Sequence, residues 1–554
     1  TVFDDRALDR AVACLAAGQV VAVKGVGGYH LVCDAARDDA VRTLRERKRR
    51  PHKPLAVMFP ATGHDGLDAL RCELTPDSLA EQALRDPARP IVLVPRRPDC
   101  GLSPALAPGL GELGAFLPYS PLHHLLLRRF GGPVVATSGN VSGEPVITNT
   151  QEAEQRLGSI ADAFLHHDRP IVRPADDPVV TIQRGRVRPL RLGRGTAPLE
   201  LALSRRLERP VLATGGHMKN TIALGWEDRA VISPHIGELD SPRSRDVFAQ
   251  VMEDLQDLYG VRAASIAVDL HPGYAGHRWA REQDLPRVTV QHHAAHASAL
   301  AGEHPEDEDW LVFTWDGVGL GEDGTLWGGE ALVGGPGHWT RVASFRPFTL
   351  TGGDRAGREP WRSASALLWE LGEPWGAANP EHRLARQAWE RRLNTHETSA
   401  AGRLFDAAAC LVLGREMASF EGQGPMELEQ VAEPGAASIA LPLDLDSAGV
   451  WRTDWAPLLA MLRDSTSSAA ERAGMFHASL ARAVADQVRE IMASRRVGTV
   501  GLTGGVFQNR LLTTLVVEQL ADYGVPVRLH RSVPANDGGL AWGQLVEAAA
   551  RENA

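Results

Sequence analysis

Trp310-Leu311-Val312-Phe313-Thr314-Trp315-Asp316-Gly317-Val318-Gly319-Leu320-Gly321 is the stretch from which the fold is read. Six apolar or β-favouring residues form a buried-type strand, and an aspartate followed by alternating glycines ends it. In open α/β sheets ligands gather at strand ends, so Asp316 is placed to join a metal and Gly317 and Gly319 to admit phosphates. Just upstream, Val288-Thr289-Val290 enters Gln291-His292-His293-Ala294-Ala295-His296. Residues four apart share a helix face, so His292 and His296 could hold one ion together, although such a pair taken alone is more often two polar residues near a helix start. Downstream, Thr499-Val500-Gly501-Leu502-Thr503 meets Gly504-Gly505-Val506-Phe507-Gln508-Asn509, and Val533-Pro534-Ala535 leads into Asn536-Asp537-Gly538-Gly539. Each junction reads equally as a tight turn, yet Asp537 offers the second carboxylate that the two imidazoles need.

A chain of 554 residues exceeds what one hydrophobic core usually supports, so at least two domains are expected. The balance of 59 basic to 69 acidic residues, net −10, argues against a broad nucleic-acid footprint. Cys14, Cys33, Cys72, Cys100 and Cys410 form no C-x-x-C pair, which suggests neither a zinc ribbon nor a disulfide framework. No run approaches the ~20 apolar residues of a membrane span, and the start of the chain lacks a signal-peptide pattern. The expectation is a cytoplasmic protein with no membrane partner.

Lysine occurs only at positions 24, 48, 53 and 219, leaving 55 of the 59 basic residues as arginine. Where arginine has filled most cationic places, the remaining lysines become candidates for sites that need a compact ammonium. Three fall in the first 60 residues. Lys24 follows the strand-like Val20-Val21-Ala22-Val23 and opens the glycine turn Gly25-Val26-Gly27-Gly28. Lys48 and Lys53 lie in Arg47-Lys48-Arg49-Arg50-Pro51-His52-Lys53-Pro54, beside a buried-type strand, which favours a fixed cationic pocket over a solvated charge run. Thr137-Ser138-Gly139-Asn140 ends a further strand in groups able to bond phosphate or ribose, or simply to cap a turn. Asp176-Asp177, Arg191 and Arg194 add more charge, so the segment has the parts of a nucleotide site without a Walker A loop. Residues 199–208 are read as a packed bridge, and 210–221 as a hairpin carrying Lys219 at its turn.

In that order these motifs resemble the YrdC/Sua family of carbamoyl-adenylate-forming domains. The resemblance implies that Lys48, Arg50, Lys53, Ser138 and Asn140 act on ATP phosphates and on carbamate, with Lys24, Arg191 and Arg194 as nucleotide contacts and Mg2+ alongside. The paired histidines, the Asp316 glycine stretch and the 504–509 and 536–539 motifs resemble TsaD-type carbamoyltransferase domains. That resemblance implies His292, His296, Asp316 and Asp537 as ligands of one divalent metal, Fe2+ or Zn2+, and Lys219, Gly317, Gly319, Gly504, Gly505 and Asn509 as nucleotide contacts. The implied fold class is α/β: a YrdC-like domain over 1–198, then a two-lobed actin/hexokinase/heat-shock ATPase-type domain over 209–554.

The order of the two modules, with Ser120-Pro121-Leu122-His123-His124 and Arg358-Glu359-Pro360-Trp361-Arg362, is similar to the HypF family of hydrogenase-maturation carbamoyltransferases. The resemblance implies ATP-dependent activation of carbamate to carbamoyl adenylate. Transfer to the C-terminal cysteine thiolate of a HypE-like protein would follow, on the way to a cyanide ligand of a nickel-iron hydrogenase. Rival readings are transfer to a small-molecule alcohol or a role in tRNA threonylcarbamoylation. Two departures stand out within the motifs: Ala294 where the family often has His, and Pro425 where Ala is usual. The acylphosphatase and zinc-finger parts of that family have no counterpart in these residues, so efficient use of carbamoyl phosphate is not expected without that activity in trans.

Overall fold

The computed structural model describes residues 2–141, 143–376 and 379–552. Its first sheet has nine strands, in the order Ala163–Leu165, Val21–Lys24, Tyr29–Asp34, Val134–Ser138, Val57–Met58, Glu112–Phe116, Ile91–Pro95, Val179–Gln183 and Arg186–Arg191. The alternation of a strand sends neighbouring side chains to opposite faces. Ala22, Leu31 and Cys33 accordingly pack with Val41 and Leu44 on one face, and Val21, Val23 and Val32 with Leu8, Leu15 and Leu126 on the other. The helix Asp38–Lys48 carries two aspartates in its first turn and Arg45, Arg47 and Lys48 in its last, the arrangement its dipole favours. Arg49 then turns left-handed, φ 51°, and brings the basic block against the end of the Val134–Ser138 strand.

Residues 199–208, expected as a packed connection, are regular structure. They are the first part of the strand Leu199–Ala213, in a four-stranded sheet ordered Ala223–Ile232, Leu199–Ala213, Ser265–Asp269, Arg287–Val290. The physical signal is alternation: Leu203 and Leu207 are buried while Arg205, Arg206 and Glu208 face outward, with register shifts near Leu207. The hairpin expected over 210–221 is present in outline, since this strand pairs antiparallel with Ala223–Ile232 across the Lys219 turn.

The third sheet runs Leu443–Leu445, Trp451–Thr453, Thr340–Phe345, Leu326–Gly334, Trp310–Leu320, Thr499–Thr503, Val527–Arg528, with Phe348–Thr351 and Thr395–Thr398 attached beside it. Its central strand does not end at Trp315 as the glycines suggested. It continues to Leu320, because antiparallel pairing with Leu326–Gly334 resumes at Gly319 after a register shift. The parallel neighbour Thr499–Thr503 stops opposite Thr314, so the sheet opens on that side just before Asp316. Trp315, Phe345, Phe405 and Phe476 fill the core beneath.

The last helix, Leu540–Glu552, returns to the four-stranded sheet and crosses the helix His292–Gly302. At the crossing a Cβ on Gly543 would sit 1.9 Å from the carbonyl oxygen of Ala295, so only glycine lets the backbones approach. That contact carries Asp537, at the entrance to the last helix, toward the histidines. No helix among the described residues is long and apolar enough to cross a membrane.

Candidate active site

His292 and His296 lie on one face of their helix, and both rings are buried. Gln291 caps the helix by accepting from the Ala294 amide at 2.7 Å and ties it to the central hairpin by donating to the Leu320 carbonyl at 3.2 Å. His292 Nε2 is 3.6 Å from Asp316 Oδ2 and 4.0 Å from Asp537 Oδ1, and His296 Nε2 is 3.6 and 3.7 Å from the same atoms. Four potential ligand atoms therefore converge within 4.8 Å of one another. Neither Nε2 has a hydrogen-bond partner among the described residues, an expensive condition for a buried ring nitrogen. Burial alone would lower both imidazoles. For His292, Asp269 first and then Asp316 and Asp537 hold it well above its ordinary value, while for His296 the two facing aspartates do so. A cation replacing those protons satisfies all four groups, so the donor set fits a divalent ion.

Asp269 is the residue the sequence reading missed. It lies at the end of the apolar strand Ser265–Asp269, the same signal that marked Asp316. Its carboxylate accepts from His292 Nδ1 at 2.8 Å, which fixes the tautomer and aims Nε2 inward. Gly505 N donates to Asp316 Oδ1 at 3.1 Å. Gly319 lets the rings approach closely, since a Cβ there would lie 2.6 Å from both His292 Cδ2 and His293 Cε1. Gly504 adopts φ 95°, with room for a Cβ denied by the Trp315 carbonyl oxygen at 2.1 Å, and Asn509 caps the Leu512 amide at 2.8 Å while meeting His477 at 2.9 Å. Gly317 borders Arg403, which pairs with buried Asp406 at 3.0 Å. Burial, opposed by Arg403 and reinforced by Glu421, pushes that carboxyl up to about 6.

The other cluster has the opposite character. Lys48 Nζ donates to the Ser138 carbonyl at 2.5 Å and to Asn140 Oδ1 at 2.8 Å, and Ser138 Oγ donates to the same Oδ1 at 2.8 Å. Arg50 bonds Thr137 Oγ1 at 3.2 Å. Among the described residues Lys48, Arg50 and Lys53 form no ion pair; Lys48 is buried, Arg50 half-buried and Lys53 exposed, and a buried cation without a partner is disfavoured. Burial, with Arg50 adding to it, pushes Lys48 down to about 7; burial and Arg45 push Arg50 down to about 10, and Lys53 is lowered as well. Such a pocket is stabilised by a polyanion. Lys24 and Arg194 are engaged elsewhere: Lys24 donates to the His167 carbonyl at 3.0 Å, while Arg194 binds Asp177 Oδ1 at 3.1 Å and stacks 3.3 Å over Tyr119. Arg191 donates to the Asp177 carbonyl at 2.7 Å and lies 3.8 Å from Asp176.

The two clusters meet at one seam. Asn536, next to Asp537, donates to the Leu190 carbonyl at 3.1 Å, next to Arg191. Lys219 Nζ contacts Glu421 at 2.6 Å; burial alone would lower it, but Glu421, Asp537 and Asp316 hold it above its ordinary value. Glu421 and Glu238 also act on Lys53 from across the seam. Arg510 clasps Glu112 with two bonds of 2.9 and 2.6 Å, and His52 meets Ser419 at 3.1 Å.

Residues 13–193 match the Sua5/YciO/YrdC family, described as "Telomere recombination"; 206–303 match the "HypF Kae1-like domain", and 312–544 match "Carbamoyltransferase, Kae1-like Domain, second subdomain". The chain is 44% identical to carbamoyltransferase HypF of Rhodobacter capsulatus over 98% of its own length and 73% of the relative's, and 38% identical to that of Synechocystis with the same coverage. A crystal structure of full-length HypF in the phosphate- and nucleotide-bound form superposes with a TM-score of 0.93 at 33% identity, over 99% of this chain and 73% of that one. HypF of T. kodakarensis superposes with a TM-score of 0.91 at 28% identity, over 100% and 74%. The chain belongs to the HypF family of carbamoyltransferases, with the α/β fold class expected: a YrdC-like domain, then a Kae1-like domain of the actin type.

Proposed function

We propose that the chain makes carbamoyl adenylate from carbamate and ATP in residues 1–198 and passes the carbamoyl group, in residues 209–554, to the C-terminal cysteine of a HypE-like protein. The product would serve cyanide ligand synthesis in nickel-iron hydrogenase maturation, in the cytoplasm. The observation that carries this reading is the juxtaposition of two sites of opposite character across one seam: cations without ion pairs, centred on buried Lys48, on one side, and converging imidazoles and carboxylates on the other.

In the first step a carbamate oxygen bonds the α-phosphorus while the bond to the β-phosphate breaks and pyrophosphate leaves. Lys48, Arg50 and Lys53 offset the charge that accumulates, and Ser138 and Asn140 orient the phosphates, with Mg2+ beside them. In the second step a thiolate sulfur bonds the carbamoyl carbon, the carbon–oxygen bond to AMP breaks, and AMP departs toward Lys219. The mixed anhydride is open to hydrolysis, so a closed seam that excludes water protects it. His292, His296, Asp316 and Asp537 would hold a divalent ion, iron(II) or zinc, which supplies Lewis acidity toward carbamoyl or phosphate oxygens. Asp269 keeps His292 in the ligating tautomer.

The test incubates the purified chain with ATP, Mg2+, ammonium bicarbonate as a carbamate source, and HypE. Carbamate-dependent pyrophosphate release and a carbamoyl mass increment on the terminal cysteine of HypE are expected. Modification of tRNA or of a small alcohol in place of HypE would overturn the assignment of the acceptor.

A further inference from the structure

Between the two sites lies one imidazole that the proposed chemistry leaves unassigned. His235 sits in the segment Ser233-Pro234-His235-Ile236-Gly237-Glu238, just after the strand Ala223–Ile232. Its backbone is fixed from both sides of the seam. The His235 amide donates to the Leu192 carbonyl of the first domain at 3.2 Å. The next amide, Ile236, donates to the Asn220 carbonyl at 2.8 Å, and Asn220 N returns a bond to the Gly237 carbonyl at 2.9 Å, beside Lys219.

The side chain is correspondingly bracketed. Nε2 stands 4.0 Å from Asp176, the carboxylate that Arg191 faces at 3.8 Å. Lys53 and Arg191 on the activation side and Lys219 on the transfer side are all near enough for their charges to act on the ring. The ring makes no hydrogen bond among the described residues, although its side chain is only 14% exposed. Burial, opposed by Asp176 and reinforced by those three cations, pushes it down to about 4, so it is neutral at physiological pH.

We infer that His235 is the hand-over residue of this enzyme, hydrogen-bonding the phosphate of the acyl adenylate as it passes from the Lys48, Arg50 and Lys53 pocket to Lys219. The inference rests on the two-site reading above. An anion leaving one cluster of cations for another needs a contact midway that does not trap it. A neutral imidazole supplies a hydrogen bond without a charge well, and Asp176 beside it discourages the anion from settling there. No covalent bond is made or broken at His235.

The readout is a coupling ratio, carbamoyl groups placed on the thiol acceptor per pyrophosphate released, measured with the full chain, ATP, Mg2+ and ammonium bicarbonate. His235→Ala is expected to lower the ratio about tenfold, the loss of one hydrogen bond to a charged group, with the difference appearing as free AMP. His235→Gln, which keeps a donor and an acceptor at the position, is expected to recover at least half of it and also guards against a folding defect in the alanine variant. A ratio that His235→Ala leaves at the wild-type value, or one equally low in both variants, overturns the hand-over role. A wild-type chain that releases no carbamate-dependent pyrophosphate overturns the two-site reading, and the inference with it.

Discussion

The pocket around Lys48 and the cleft around His292 are built from opposite surpluses. In the first, cations crowd around buried Lys48 without ion pairs and lose part of their affinity for protons; in the second, ring nitrogens are buried without partners and two aspartates converge on them. Each arrangement is costly by itself, and each cost falls when the complementary charge arrives. The difference teaches what would relieve each site: a polyanion in one, a cation in the other. Their shared seam suits the proposed transfer, since the positive groups Lys53, Arg191 and Lys219 all act on the one imidazole, His235, that stands between the two sites.

The comparison is broken most severely by removing one half of the converging set. Asp316→Ala leaves His292 and His296 facing a single carboxylate. Bound divalent metal, read by elemental analysis of the purified chain, is expected to fall close to zero, and acceptor carbamoylation by about a thousandfold, equivalent to ~4 kcal/mol of transition-state stabilisation. Pyrophosphate release, which depends on the distant cations, should survive. An Asp316→Ala chain that retained both its metal and its transfer rate would remove Asp316 from the ligand set.

How much of this was legible in the sequence follows from the range over which each signal acts. His292 and His296 are related by helix spacing, and Asp316 and Asp537 each sit in a local strand or glycine junction, so four residues from three segments could be proposed as one set. The same local signal is present at Asp269, yet an aspartate ending a strand acquires this meaning only when His292 stands 2.8 Å away. The glycines of the 317–321 stretch were legible as close approaches but not as to what approaches, since Gly319 faces imidazole rings; Gly543, which meets the Ala295 carbonyl, carried no signal at all. Arg194 and Lys24 looked like anion contacts because charge is visible in sequence and its partner is not; Asp177 and the His167 carbonyl engage them. Residues 199–208 lacked turn signals, yet their leucine alternation is that of a strand, and the structure made it one. His235 was invisible for a deeper reason, since its neighbours Asp176 and Lys53 belong to the other domain.

A milder way to sharpen the comparison acts behind the metal ligands. Asp269→Asn preserves shape while weakening the acceptor for His292 Nδ1–H. Metal affinity, measured by competition with a chromophoric chelator, is expected to fall by about 10- to 100-fold. Transfer should recover when metal is supplied in excess, because the ligands themselves remain. Unchanged affinity would show that helix packing alone orients His292.

The smallest expected effect is graded by pH and touches only the cationic pocket. In the proposed activation step Lys48 meets phosphate as an ammonium, and burial with Arg50 beside it brings that ammonium down to about 7 in the free protein. Below that pH the group is protonated and ready for ATP; above it, the free protein must first regain a proton. The pH profile of kcat/KM reports groups of the free enzyme. In the pyrophosphate-release assay, kcat/KM for ATP is therefore expected to be level below pH 7 and to decline above it, by about tenfold per unit where Lys48 alone limits. Lys48→Arg keeps its charge across this range, so its profile should lose the decline while starting from a lower plateau, because a planar fork does not reproduce the contacts to the Ser138 carbonyl and Asn140 Oδ1. A decline that persists unchanged in Lys48→Arg would assign the titration to another group and remove the link between the unpaired lysine and the alkaline limb.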